Sequence, residues 1–361
     1  MQIITHKSRF MYSTSTSRNF LKTILCLGIL SLGHFSFAAD YYWVGGSGVW
    51  TDLSHWATTS GGSTSHTIVP SPLDRVIFDA NSFTADGQTV AVNFEVFCDR
   101  LEASNLGFQV NFDFNSGFNA SSGIDISGDI DWTQSGNLTI GAGGLNLGSG
   151  ATLTSNGTNN ITGGIVIQAN ASLIHNGLMT LDGDFELVSD NSYIQNSGET
   201  NVTNGNVILG NNALYHSKGG YWMRIYDGNL QMVSGAEFRK DRGYIDFRVG
   251  DLVIPGGAIF NTGSGQRWIR NGGFIAEANS TITVNGDFMV LYDGGLDLDP
   301  AANILIWNTS NIYFRATQFG QHTIRSSGIN LRRLQFDDTN RNAEYSLLDD
   351  LTALNDGVFL Y

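Results

Sequence analysis

The chain has 361 residues, with 19 Lys and Arg against 33 Asp and Glu. That acidic balance excludes general nucleic-acid binding, which draws its affinity from phosphate neutralisation, and it suits an anionic membrane surface poorly. Glycine is abundant at 44 residues, proline is scarce at 4, and long runs of Ala, Glu, Lys and Leu are missing, which points to a β-rich chain with many turns.

The first segment reads as a leader. Lys7, Arg9, Arg18 and Lys22 form a basic region, residues 24–32 a short apolar run, and Ser36-Phe37-Ala38 supplies small residues where a signal peptidase reads. This predicts a signal peptide over residues 1–38, cleavage after Ala38, and a secreted or cell-surface protein; Met11 as the start would leave the leader intact. The apolar run is too short to span a bilayer, and no later segment reaches about 18 apolar residues, so no transmembrane segment is expected. The leader takes four basic and no acidic residues with it, leaving 15 basic against 33 acidic, a net charge near −18. Cys26 leaves too, so Cys98 stands alone and reads as a small buried hydrophobe.

Residues 41–56, YYWVGGSGVWTDLSHW, carry Trp43, Trp50 and Trp56 among glycines. Tryptophans grouped in this way serve either packing or sugar contact. Their place directly before a repetitive region favours packing as a cap, since Trp buries a large area and its N–H can pair with turn carbonyls. Asp52 with His55 reads as a turn-capping Asp and a structural His rather than an acid–base pair.

Trp43, Gly45, Gly46, Gly48, Trp50, Asp52, His55, Trp56, Ser60, Gly61 and Gly62 are followed by Pro70, Asp74, Val76, Phe78, Asp79, Ser82, Phe83 and Thr84. Over about 60 residues this resembles the N-terminal module of Bacteroidetes-type secreted cell-surface repeat proteins. The resemblance implies a WVGGxGxWxDxxHW module followed by a β-helical region on the cell surface. Family members commonly end in a sorting or gliding-motility-type domain, whose features are not seen in this sequence.

A repeat follows. SGDIDW, AGGLNL, TGGIVI, DGDFEL, NGNVIL, DGNLQM, VGDLVI, NGGFIA and NGDFMV each place a Gly before an alternating apolar pair. The glycines are Gly128, Gly143, Gly163, Gly183, Gly205, Gly228, Gly250, Gly272 and Gly286, and six of the eight intervals are 20 to 23 residues. Positions two and ten after each Gly are apolar or aromatic in all nine copies. One such unit cannot bury its own apolar face, whereas stacked units can. The expected fold is all-β, a parallel β-helix (β-solenoid) of 20–23-residue coils with a Trp-rich β cap. The expected organisation is a leader over 1–38, the capping module and first strands over 39–120, and β-helix repeats over 121–361. No polar cap is recognisable after the last coil, which leaves a continuing chain, a missing domain or a partner to cover it.

Eight of the 15 basic residues beyond the leader lie between positions 218 and 270, with five acidic ones among them. Counting back six, four and two residues from Gly228, Gly250 and Gly272 gives Trp222, Arg224, Tyr226; Tyr244, Asp246, Arg248; and Gln266, Trp268, Arg270. Period-2 alternation turns these outward and Met223, Ile225, Ile245, Phe247 and Ile269 inward; Arg267 falls in the inward set and breaks the pattern. Trp222, Arg224, Tyr226, Tyr244, Arg248, Trp268 and Arg270 are therefore the candidate carbohydrate-binding face, with rings for stacking and Arg forks for hydroxyls or carboxylates. The bland alternative is that Arg and aromatic rings support one another by cation–π contact.

The expected function is a non-enzymatic, adhesin-like or structural surface protein whose partner is a polysaccharide or cell-surface glycan. The alternative is a polysaccharide lyase or glycoside hydrolase acting on acidic glycans. A glycosidase needs two carboxylates about 5–10 Å apart. Asp182, Asp184 and Glu186 read as one strand's outward carboxylates, and Asp129 with Asp131 likewise, but nothing marks either group as special. No catalytic residue, metal ligand or cofactor motif is assigned, and a structural calcium is not indicated.

Overall fold

The computed structural model describes residues 38–285 and, from 288 to 360, all but 307–310, 319, 329, 332, 339–342, 351 and 354–357. The leader expected over residues 1–38 lies outside the described residues except for Ala38. Residues 39–361 form one compact unit, a parallel β-solenoid of about 12 turns with a spacing of ~22 residues. The expected fold is the one observed.

From Leu145 to Ile306 each coil lays one strand on each of three faces, whereas earlier Val96–Ala103 and Phe118–Ile126 each run across the third and first faces as a single strand. Leu145–Leu147 lies on the first, Thr152–Ser155 on the second and Asn159–Thr162 on the third, and Ile165–Ile167 then pairs in parallel with Leu145–Leu147 to begin the next coil. The second face runs through twelve strands, from Gly48–Val49 to Asn303–Ile306. Parallel stacking already begins inside the Trp module, where Asp40–Trp43 pairs with Arg75–Phe78, and that strand with Val96–Ala103.

Alternation along each strand sends one set of side chains inward. On the second face the inward column runs Leu153, Leu173, Ile194, Tyr215, Phe238, Phe260 and Ile282. Its aromatic members stack face to face, Tyr215 on Phe238 at 5.1 Å and Phe238 on Phe260 at 5.3 Å between centroids. Rings in adjacent coils are held at the inter-strand spacing of about 4.8 Å, so parallel stacking follows from register alone.

Two of the nine repeat copies fall on a different face from the rest. Leu145 pairs with Ile124 on the first face, whereas Ile130, two residues after Gly128, lies on the second. Likewise Phe288 pairs with Gln266 on the third face, and the first-face partner of Phe274 is Leu296. The off-period intervals arise because a Gly before alternating apolar residues also occurs at other corners of the solenoid.

Two corners show why glycine and asparagine recur. Between the first and second faces, Gly150, Asn170, Asn191, Asn212, Gly235, Gly257 and Asn279 all have φ between 56° and 87°, a left-handed conformation that Gly and Asn tolerate best. Between the third and first faces the chain passes close to the coil below. A Cβ on Gly205 would stand 2.3 Å from the Gly183 carbonyl oxygen, and one on Gly228 2.0 Å from that of Gly205.

The corner between the second and third faces carries an internal polar ladder that the sequence pattern did not reveal. Gln134, Ser155, His175, Asn196 and Ser217 end successive second-face strands, Lys240 and Thr262 stand two residues before the ends of the next two, and all pair in register. All are buried. Ser155 Oγ donates to Asn159 Oδ1 at 2.8 Å, Asn159 Nδ2 donates to His175 Nδ1 at 3.0 Å, and Lys240 Nζ donates to Ser217 Oγ at 3.0 Å. A buried polar group costs free energy unless it is hydrogen-bonded, so the Asn159–His175 and Ser217–Lys240 bonds tie neighbouring coils together.

The three module tryptophans are core. Trp43, Trp50 and Trp56 are each at most 1% exposed. Trp43 and Trp56 meet edge-to-face at 4.9 Å, as do Trp50 and Trp56 at 4.8 Å. Trp43 Nε1 donates to Gly46 O and Trp56 Nε1 to Trp50 O, both at 2.7 Å. The pattern's His55 lies flat on Trp43 at 4.6 Å, its Nδ1 donating to Val44 O at 2.5 Å. Gly48 leaves room for that imidazole, since a Cβ there would lie 2.2 Å from Nε2. Asp52 caps the short 3-10 turn Leu53–His55, and hydrogen bonds from Ser54 hold its carboxyl below the usual range.

Candidate functional site

The third face carries the candidate residues on Trp222–Ile225, Tyr244–Phe247 and Gln266–Arg270. Register pairs Trp222 with Tyr244, Arg224 with Asp246, and Asp246 with Trp268. Met223, Ile225, Ile245, Phe247 and Ile269 are buried beneath them. All seven predicted site residues are thus brought together on one outward face.

Arg267 does point inward and is 3% exposed, without disturbing the register. Its Nε donates to Thr262 Oγ1 at 2.7 Å, its Nη1 to Gly265 O at 2.9 Å, and its Nη2 to Gly263 O and, at 3.0 Å, to Asn285 O. The corner loop supplies carbonyls as the guanidinium's partners.

The aromatic rings form one slab. Trp222 stacks on Tyr244 at 4.6 Å and 24° and on Trp268 at 5.0 Å and 18°, while Tyr244 and Trp268 are 6.1 Å apart at 26°. Trp222 and Trp268 belong to coils two apart, so the slab bridges three coils. The Arg224 guanidinium lies over the Trp222 ring at 4.3 Å, and Arg248 over Tyr226 at 4.2 Å.

Sequence reasoning missed the carboxylates that hold these cations. Asp246 sits on the outward set yet is only 2% exposed. It accepts from Arg248 Nε at 3.0 Å and from Arg270 Nε at 2.6 Å, the latter from the next coil. Arg224 is paired with Glu199 and also donates to Asn201 Oδ1 at 3.2 Å. Tyr292, one coil beyond, carries Arg270 over its ring at 5.0 Å. The available signal was Asp246 standing two residues before Arg248 in an otherwise cationic stretch.

Charge on this surface is modestly positive. The stretch 218–270 counts three more basic than acidic residues, but Lys240, Arg267 and Asp246 are buried, which leaves an excess of two outside. Lys218, Arg239 and Arg242 line the adjoining corner. Arg239 Nε meets Asp241 Oδ1 at 3.2 Å, and His216 Nε2 meets the other carboxylate oxygen at 3.0 Å.

The carboxylate groups weighed for hydrolysis are not arranged as expected. Asp182 ends the third-face strand Leu178–Asp182, Glu186 lies on the first-face strand Phe185–Leu187, and Asp184 is in the corner between them. The turn at Gly183, with φ of 141°, separates them. Asp182 accepts from Asn204 Nδ2 at 2.6 Å and Asp184 from the Asn206 amide at 2.7 Å, so both serve coil-to-coil bonding. Asp129 precedes the strand Ile130–Gln134 that carries Asp131. Cys98 is buried, and burial first, then Asp99 and Asp74, pushes its thiol upward, far from a reactive thiolate. Among the described residues no group of three His, Cys, Asp or Glu is arranged to hold a metal ion, and no helix is long and apolar enough to cross a membrane.

Comparison with protein-family models, with curated proteins and with solved structures returns no match. The functional reading therefore rests on the residues themselves.

Proposed function

We propose that this chain is an exported, non-enzymatic β-solenoid of the cell surface, adhesin-like in type, that binds carbohydrate on its third face. The observation that carries this reading is the three-coil slab of Trp222, Tyr244 and Trp268. The stacked rings, with Trp222 already covered by Arg224, offer the C–H faces of a sugar a preformed apolar ridge, and a ridge pinned by coil register costs little ordering entropy on binding. Arg248 and Arg270 flank it with N–H groups beyond those engaged by Asp246.

A surface excess of only two positive charges favours a glycan recognised by stacking and hydrogen bonding over one recognised by charge alone. The solenoid itself serves as an extended support that holds this face away from the Trp-rich cap. A lyase or hydrolase reading has no comparable support, because the carboxylates considered for it are spread across a corner or tied to neighbouring coils.

The test is binding of the chain from Ala39 onward to an array of neutral and acidic polysaccharides, with product release assayed on every hit. Binding without new reducing or unsaturated ends, weakened at least about tenfold by Trp222→Ala with Trp268→Ala, is the expected result. Released products would overturn the non-enzymatic reading. Absence of any binding, or binding indifferent to the double substitution, would overturn the assignment of this face.

A further inference from the structure

Asp74, part of the PxxxD element that follows the Trp module, is a buried carboxylate with no basic side chain in reach. It is 2% exposed. Its Oδ2 accepts the Ser71 amide at 2.8 Å, and its Oδ1 accepts the backbone nitrogen of Ala39 at 2.9 Å. Among the described residues no Lys, Arg or His stands within 4.0 Å of it. The adjacent Arg75 turns instead to Glu102 at 3.0 Å and Asp40 at 3.9 Å. A buried carboxylate is ordinarily paired, since its desolvation is otherwise uncompensated.

The nitrogen it holds is that of the first residue after the cleavage site expected from the sequence. Ala38 is exposed and Ala39 partly buried against the core. The Ala39 carbonyl accepts the Arg75 amide at 2.9 Å, and the strand then continues in register, Asp40 with Arg75 and Tyr41 with Val76. Strand pairing therefore fixes the Ala39 nitrogen against Asp74 without any movement of the chain.

We propose that Asp74 is the counter-ion of a processed N-terminus at Ala39. A peptidase of the signal-peptidase class would hydrolyse the Ala38–Ala39 bond. The water oxygen would go to the Ala38 carbonyl carbon, leaving a carboxylate on the leader, and the Ala39 nitrogen would leave as an amine that takes up a proton. The neutral amide at 2.9 Å from Oδ1 thereby becomes an ammonium in the same place. Before the cut Asp74 is buried without a counter-charge; after it the carboxylate and the first strand are locked together. Removal of the leader would thus tighten the fold at the edge of the Trp module.

This inference rests on the expectation of a leader ending at Ala38, so its test has two independent arms. The first reads the N-terminal residue of the exported protein by mass spectrometry. Ala39 supports the proposal, and any other residue overturns the processing step. The second compares the recombinant chain starting at Ala39 with the same chain Nα-acetylated, which needs no substitution and keeps every side chain. Hydrogen exchange at Tyr41, Tyr42 and Arg75 is expected to quicken by about tenfold on acetylation, and the difference to vanish in Asp74→Asn. Equal exchange in the free and acetylated chains, or an unchanged ratio in Asp74→Asn, would overturn the ion pair whatever the first arm shows.

Discussion

Arg270 reaches back one coil to Asp246, its Nε 2.6 Å from a carboxylate that is 2% exposed and already held by Arg248 at 3.0 Å. The two cations lie near the surface, with side chains 37% and 38% exposed, while the anion they share does not. Loss of either Arg leaves the other in place. Arg248→Ala and Arg270→Ala are therefore each expected to cost about 1 kcal/mol or less, the usual worth of a partly solvated pair. The double variant leaves the carboxylate buried and alone and should cost roughly 3–5 kcal/mol. Urea unfolding of the parent and the three variants gives the coupling; simple additivity would mean that water reaches Asp246.

His175 belongs to the internal ladder, and burial pushes its imidazole down to about 4. An unfolded His titrates near 6.5. Between those values the unfolded chain binds the extra proton, so the stability tied to neutral His175 is complete above pH 6.5 and is lost as pH falls towards 4. The linkage amounts to about 3 kcal/mol. His175→Gln should remove this part of the acid sensitivity, which thermal unfolding of parent and variant at pH 7 and pH 4.5 would show. Identical losses in both proteins would refute the assignment.

Lys240 makes the same demand on pH from the same ladder, in a higher window. Burial first, and then the neighbouring Arg267, brings its ammonium down to about 8 from its ordinary 10.5. Between those values the unfolded chain again holds the extra proton, so folding becomes more favourable as pH rises through that window. Relative to Lys240→Met, the parent should gain about 3 kcal/mol of stability by pH 10.5. Denaturant titrations of both chains at pH 7.5, 9 and 10.5 isolate the effect from the titration of tyrosines, which the two share. A constant difference across the series would show that Lys240 is solvated in the folded chain.

The outward face was legible because its cause is local. Period-2 alternation and a corner glycine fix which way Trp222, Arg224, Tyr244 and Trp268 turn, whatever the rest of the chain does. Arg267 shows the limit of reading residue type as direction. It lies inward, as its position in the strand requires, because the carbonyls of Gly263 and Gly265 meet its guanidinium at the corner. Asp246 was placed on the correct face, yet its burial depends on side chains contributed by neighbouring coils, which no single strand announces. The polar ladder was hidden for a related reason. It takes one residue per coil, at or near a strand end, and its members Gln134, Ser155, His175, Asn196, Ser217, Lys240 and Thr262 share no common residue type, only a register position.

The glycine corners allow the sharpest test of the stacking itself. Gly107 has φ of 72° and open space around a would-be Cβ, so Gly107→Ala should meet only the left-handed penalty of about 1 kcal/mol. Gly228 has φ of 152°, and a Cβ would stand 2.0 Å from the Gly205 carbonyl oxygen, with backbone that cannot yield on either side. Gly228→Ala must open the interface between two coils. In a solenoid stability is carried by nearest-neighbour interfaces, so weakening one divides the stack into two parts that unfold separately. Trp43, Trp50, Trp56 and Trp132 report from the N-terminal side of that interface, and Trp268 lies beyond it. Urea unfolding followed by fluorescence should change from one transition to two, reported separately by the tryptophans on either side. A single transition within about 1 kcal/mol of the parent would mean that the coils are not held at the spacing that the Gly205–Gly228 contact defines.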